Sequence, residues 1–178
     1  IVVSKPEVKG LDGAPLMAYM ARPALGQRAP GVLVIHENRG QTPHIQDVVR
    51  RVATAGFVAI NIDLVARAGG YEKLTDQAAY NAELGKLTPA GKLADHNATI
   101  AFLKAQSSGQ IGVTGFCFGG GETWNILTSL QPDVKAAVPY YGPQPTNYTE
   151  LAKTKAAVLG VYAEQDTRIT SSMQQMDA

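Results

Sequence analysis

Cysteine and unbalanced charge are what this chain lacks most. A single cysteine in 178 residues excludes an internal disulfide and a multi-thiolate metal site. The formal charge is only +1, and no lysine and arginine cluster interleaves with aromatics, so nucleic acid is not an expected partner. No apolar run approaches the roughly 18 residues that a bilayer-spanning helix needs, and we expect no membrane partner. Repeats, low-complexity tracts and linker-like shifts of composition are missing too, so residues 1–178 read as one domain. Histidine is scarce: the 3 present, His36, His44 and His96, all precede the cysteine.

What is present describes a folded domain with a sizeable core, since 45% of residues are hydrophobic and 17% charged. Ile1 to Val8 and Leu16 to Arg22 flank the turn Leu11-Asp12-Gly13, which predicts an antiparallel hairpin. Gly31 to Ile35 is a continuous apolar run of the kind a parallel strand covered on both faces requires. Thr42-Pro43 then reads as a helix cap, with Ile45, Val48, Val49 and Val52 at helical spacing up to Gly56. Phe57 to Ile62 is a second buried strand, followed by a polar, helix-prone stretch from Tyr71 to Leu84. A further helix carries Leu93, Asn97, Ile100 and Leu103 on one face. Ile111 to Thr114, Ala136 to Tyr140 and Ala156 to Tyr162 supply three more β runs. Strands alternating with helices predict an α/β fold with an open, mostly parallel twisted sheet, whose sites lie at the carboxyl ends of the strands. Both ends look cut. The chain opens at Ile1, and Ser171 to Ala178 reads as a helix just begun, so we expect the C-terminal part to be missing.

The most specific stretch is Gly115-Phe116-Cys117-Phe118-Gly119, placed between a short β segment and a helix-compatible run from Glu122 to Leu130. Strand, Gly-x-nucleophile-x-Gly and helix together describe a nucleophile elbow, with cysteine where serine is usual. A lone cysteine is most often a small buried hydrophobe, but the elbow context points to a thiol nucleophile. In such an elbow the oxyanion donors are the N–H after the nucleophile, here Phe118, and one from the loop after an earlier strand, here Asn38. Other strand ends carry His36-Glu37-Asn38-Arg39-Gly40, Asp63 with Arg67, and Gln165-Asp166. Asp166 follows the nucleophile in the order expected of an acid that orients a histidine; its bland alternative is a helix cap.

The histidine is harder to place. His44 reads as a surface residue in the first turn of a helix, and His96 as a core or boundary residue. His36 ends a strand and can approach the site, where we count it with the substrate-binding residues, but as the triad base it would break the chain order. We therefore expect the catalytic histidine beyond Ala178.

These residues resemble the dienelactone hydrolase (carboxymethylenebutenolidase) family of α/β-hydrolases. The pieces that carry the resemblance are Val34-Ile35-His36-Glu37-Asn38-Arg39-Gly40, Asp63-Leu64 with Arg67, Gly115 to Gly120, Tyr140-Tyr141-Gly142 and Asp166. The resemblance implies the α/β-hydrolase fold and a hydrolase of small lactones or esters bearing a carboxylate. It implies Cys117 as nucleophile, Asp166 as the acid of a Cys-His-Asp triad, and Glu37 as the carboxylate that meets the thiol. Arg67 would bind the substrate carboxylate, and Tyr141 would line the pocket. Solvated or surface positions are the bland alternatives for Glu37 and Arg67, and Trp124 reads as core packing. By this reading the reaction passes through a thioester and needs no metal or organic cofactor.

Two other readings stay open at this point. One is a catalytically incomplete relative or fragment that binds small acidic molecules; the other is a redox-active thiol protein. Compartment does not follow from these residues, since cytoplasm and export are both compatible. A missing last strand or helix would leave an edge or patch able to drive association into homo-oligomers.

Overall fold

The computed structural model describes residues 1–24, 28–145 and 147–171. Val2–Ser4 (β1) and Tyr19–Arg22 (β2) pair antiparallel with Val3 opposite Ala21, and a bridge between Lys9 and Pro15 carries the hairpin toward its turn. β2 lies antiparallel against Val58–Asn61 (β4). From there Gly31–Ile35 (β3), Ile111–Phe116 (β5), Val134–Tyr140 (β6) and Ala157–Val158 (β7) continue the sheet in parallel. The 7-stranded order is β1-β2-β4-β3-β5-β6-β7. The predicted mostly parallel sheet with an N-terminal hairpin is what forms.

Apolar strands are covered on both faces, as their continuous hydrophobic runs require. Leu33 and Ile35 of β3 pack with Ile100 and Leu103 of Pro89–Gln106 (α4) and with Trp124, Ile126 and Leu127 of Phe118–Thr128 (α5). Val34 points the other way, onto Ile45, Val49 and Ala53 of Pro43–Thr54 (α1). Each such side chain, fully buried, contributes about 1.5–3 kcal/mol. Helix starts follow local chemistry. Thr42 Oγ1 accepts the Ile45 N–H and Thr88 Oγ1 accepts the Gly91 N–H, each before a proline. Among the described residues no helix is long and apolar enough to cross a membrane.

Two elements depart from expectation. The helix-prone stretch from Tyr71 to Leu84 divides into Gly70–Lys73 (α2) and Gln77–Gly85 (α3). Extended Asp76 accepts the Ala79 N–H and starts a new helix, so a capping side chain overrides helix propensity. The helix after the elbow begins at Phe118, not Glu122, because the glycines that read as turn are used for close packing inside its first turn. The helix expected from Ser171 lies outside the described residues; a single turn, Thr167–Thr170 (α3 and α5 being followed by Tyr148–Leu151 as α6 and this turn as α7), ends at Ser171.

Candidate active site

Because β3, β4, β5, β6 and β7 run parallel, their carboxyl ends share one edge of the sheet. Cys117 stands there with φ 53 and ψ −113, a backbone conformation that L residues other than Gly seldom adopt. Holding it costs about 1–3 kcal/mol, which the surrounding packing must supply. Gly115 and Gly119 make the turn feasible. A Cβ on Gly115 would strike the Gly119 carbonyl, and one on Gly119 would come within 2.5 Å of the Ile35 carbonyl oxygen and 2.6 Å of that of His36. The start of α5 is thereby pressed against the end of β3, where the other loop begins.

The backbone donors sort themselves. The Cys117 N–H donates to the Tyr140 carbonyl at 3.0 Å, whereas the N–H groups of Phe118 and Asn38 have no acceptor among the described residues. Gln77 Nε2 donates to the Asn38 carbonyl at 2.8 Å, tying this loop to α3. Two free amides on adjacent strand ends are what an oxyanion site needs.

Tyr141 joins this group. It has φ 40 and its N–H donates to the Val161 carbonyl at 2.7 Å. Its phenol is pushed above the usual tyrosine range by burial first, and then by the negative charges of Glu37 and Cys117. The thiol and the half-buried Glu37 therefore each lie within electrostatic reach of the Tyr141 phenol. Asp166 precedes α7 but makes no side-chain capping bond; its carboxylate is half-exposed, 3.8 Å from Arg168 Nη2. The bland capping role is not what its side chain performs.

The model of the dienelactone hydrolase family matches residues 16–178. A protein of Methylorubrum extorquens named as a candidate carboxymethylenebutenolidase is 35% identical over 182 residues, covering 95% of this chain and 62% of that protein. One of Salmonella typhi with the same name is 34% identical over 171 residues, covering 89% of this chain and 63% of its own length. The crystal structure of a candidate dienelactone hydrolase from Klebsiella pneumoniae superimposes with a TM-score of 0.85 at 29% identity, over 99% of this chain and 78% of that one.

This chain belongs to the dienelactone hydrolase family.

Its fold is the α/β-hydrolase fold of that family. The chain spans only 62% and 63% of the two curated relatives' lengths.

Two residues expected at this family's substrate site are committed elsewhere. His36 is fully buried; its Nε2 accepts the Leu64 N–H at 3.2 Å, so Nδ1 carries the proton and donates to the Glu37 carbonyl at 2.5 Å. Burial also lowers its pKa, against the opposing charge of Asp63. His36 is a neutral strut between two loops and leaves no nitrogen for substrate. Arg67 donates through Nε and Nη2 to Asp12 and through Nη1 and Nη2 to Asp95, at 2.7–2.9 Å. Four of its five N–H donors are taken, and no adjacent pair is left to hold the expected substrate carboxylate bidentately. Asp63 is likewise a strut: buried, it accepts from Tyr80 Oη at 2.7 Å and from the amides of Val65 and Tyr71. His44 is exposed and His96 buried, as their sequence positions suggested. Trp124 is core packing, with Nε1 donating to Tyr162 Oη at 2.8 Å.

Sequence reasoning quoted Arg39 within the loop after β3 but gave it no role of its own. It lines a cavity of about 350 Å³ with Thr42, Tyr71, Thr75 and Gln77, and has no hydrogen bond or ion pair among the described residues. Its place directly after Asn38 was the available signal. Among the described residues, no cluster of His, Cys, Asp and Glu has the make-up to hold a metal ion.

Proposed function

We propose that this protein is a cysteine-dependent hydrolase of small lactones or esters that bear a carboxylate. One observation carries the reading. Cys117 is held strained at a strand end with its own amide tied to Tyr140, while the next amide, that of Phe118, is left free. A buried thiol with only a packing role has no need of that backbone. Membership of the dienelactone hydrolase family supports the same chemistry.

In this reading the Cys117 thiolate attacks the substrate carbonyl carbon, forming an S–C bond as the carbonyl electron pair moves to oxygen. The N–H groups of Phe118 and Asn38 receive that oxyanion; losing one such donor costs roughly 100- to 1000-fold in rate. The C–O bond to the alcohol then breaks, leaving a thioester, and water releases the acid. Glu37 and Tyr141 flank the thiol. Asp166 orients the base for the water step; His36 has both nitrogens engaged and His96 is buried against α5, so neither serves as that base. Recognition of the substrate carboxylate, expected at Arg67, passes to Arg39, the guanidinium that faces a cavity.

Rapid mixing with p-nitrophenyl acetate tests the reading. A stoichiometric release of p-nitrophenolate with an acetyl group on Cys117 by mass spectrometry is expected, and Cys117→Ala should abolish both. An acetyl group elsewhere, or a burst surviving Cys117→Ala, overturns it. Reversible oxidation of Cys117 with no acylation would favour a redox thiol instead.

A further inference from the structure

α4 and α5 share a buried charged cluster. Lys92 Nζ lies 2.5 Å from Glu122 Oε1, and His96 Nε2 lies 3.6 Å from Glu122 Oε2. Their side chains are 14% (Lys92), 1% (His96) and 5% (Glu122) exposed. Asn125 Nδ2 adds a hydrogen bond to Glu122 Oε1 at 3.3 Å, and neither ring nitrogen of His96 has a hydrogen-bond partner among the described residues. Burial pushes the Glu122 carboxyl up, but His96 and Lys92 outweigh it and hold the group below the usual carboxylate range. Stability alone is a weak reason for such a pair, because apolar groups of similar size often serve as well or better.

What the cluster touches supplies another reason. The Lys92 ammonium stands over the ring of Phe118, 4.9 Å from its centroid. The ring of His36 lies nearly parallel to the same ring, at 6.2 Å and 19°, and His36 is itself pinned by Glu37 and Leu64. The side chain of Phe118 is thus gripped by a cation fixed on α4 and by a ring fixed at the end of β3. A cation over an aromatic face is attracted by the ring's quadrupole, more strongly when water is excluded.

We propose that Lys92, held by Glu122, is a positioning residue for the oxyanion site. By gripping the Phe118 ring it fixes the first turn of α5, and with it the direction of the free Phe118 N–H. The inference rests on the reading of that amide as an oxyanion donor. Rigid aim matters because a donor already oriented needs no reorganisation as charge develops on the attacked carbonyl.

Two reactions of Cys117 separate this role from a merely structural one. Acylation by p-nitrophenyl acetate develops an oxyanion; alkylation by iodoacetamide forms the S–C bond as iodide departs and develops none. The variant for the test is Lys92→Met with Glu122→Gln, which removes the ion pair in one step and leaves neither of its partners buried and unpaired. We expect its acylation rate constant to fall about tenfold, with alkylation unchanged within about twofold. Lys92→Arg, which keeps a cation at the ring, should recover most of the acylation rate. Phe118→Leu keeps the amide but removes the ring. It should show the same deficit, and adding the Lys92 and Glu122 changes to it should cost nothing further. The Phe118→Leu comparison with wild type also stands by itself if the charge-free variant does not fold. Acylation at the wild-type rate in either variant overturns the proposal, as does an equal fall of acylation and alkylation. A wild-type chain whose Cys117 alkylates but never acylates overturns the oxyanion reading itself, and the proposal with it.

Discussion

Arg39 and Arg67 follow adjacent parallel strands, β3 and β4, yet their side chains end in opposite conditions. The hairpin turn brings Asp12 to Arg67, and α4 brings Asp95, so two carboxylates take four of the five guanidinium donors. Gly10 leaves room for this meeting, since a Cβ there would lie 2.6 Å from Arg67 Nη2 and 2.8 Å from Asp95 Oδ1. Arg39 meets no carboxylate among the described residues and lines a cavity next to the Asn38 loop. The same side chain is a staple in one place and lines a cavity without a charged partner among the described residues in the other. What differs is the set of partners that distant segments deliver.

The sharpest way to break this comparison is to remove each fork in turn. Arg39→Ala should lower kcat/KM for a carboxylate-bearing aryl ester by about 10- to 100-fold, as loss of a charge-assisted contact worth about 1.5–3 kcal/mol implies. A neutral ester of equal size should keep its kcat/KM within about twofold, and equal losses on both esters would remove Arg39 from carboxylate recognition. Arg67→Ala is expected to leave that preference alone and to destabilise the fold. Asp95, only 5% exposed, would lose its partner. Urea unfolding should show a loss of about 1–2 kcal/mol, less than a fully buried pair would cost because Arg67 is reached by water. A change of ester preference in Arg67→Ala would restore it as a substrate ligand.

The smallest effect belongs to Asp12. Its carboxyl is lowered from 3.8 to about 2, first by hydrogen bonding to Arg67 and then by the Ala14 amide. A depressed carboxylate pKa contributes stability above the unfolded value and loses it as pH falls through the folded one. The melting temperature of Asp12→Asn should therefore lie below that of the wild type above pH 3.8, and the gap should close toward pH 2. A gap that stays constant across that range would mean that Asp12 contributes by packing and not by charge.

Much of the fold was legible in local pattern. The continuous apolar run from Gly31 to Ile35 predicted a strand covered on both faces, and Thr42-Pro43 and Gly56 marked the ends of α1. Near the elbow the same reasoning slipped by a turn, because Gly119 and Gly120 are there for close approach to β3 and β6 and not to break the helix. Asp76 shows the converse, a capping side chain that interrupts residues otherwise suited to one helix. In the candidate site, residues in the elbow's own backbone were the easiest to read. His36 and Arg67 were not, since nothing near either in sequence announces Leu64, Asp12 or Asp95 as a partner. Lys92 and Glu122 escaped for the same reason: each looks like an ordinary helix charge until α4 is laid against α5.

The sequence by itself determined the order of strands and helices, the elbow at Cys117 and the family to which these segments belong. Those follow from steric and hydrogen-bonding preferences acting over a few neighbouring residues. Only the tertiary structure decided which charged and polar side chains remain free to act. That choice separated Arg39 from Arg67, closed both nitrogens of His36, and set Lys92 over the ring of Phe118. The reason is physical: whether an ionisable group is available depends on what fills its hydrogen bonds, and long-range packing supplies those partners.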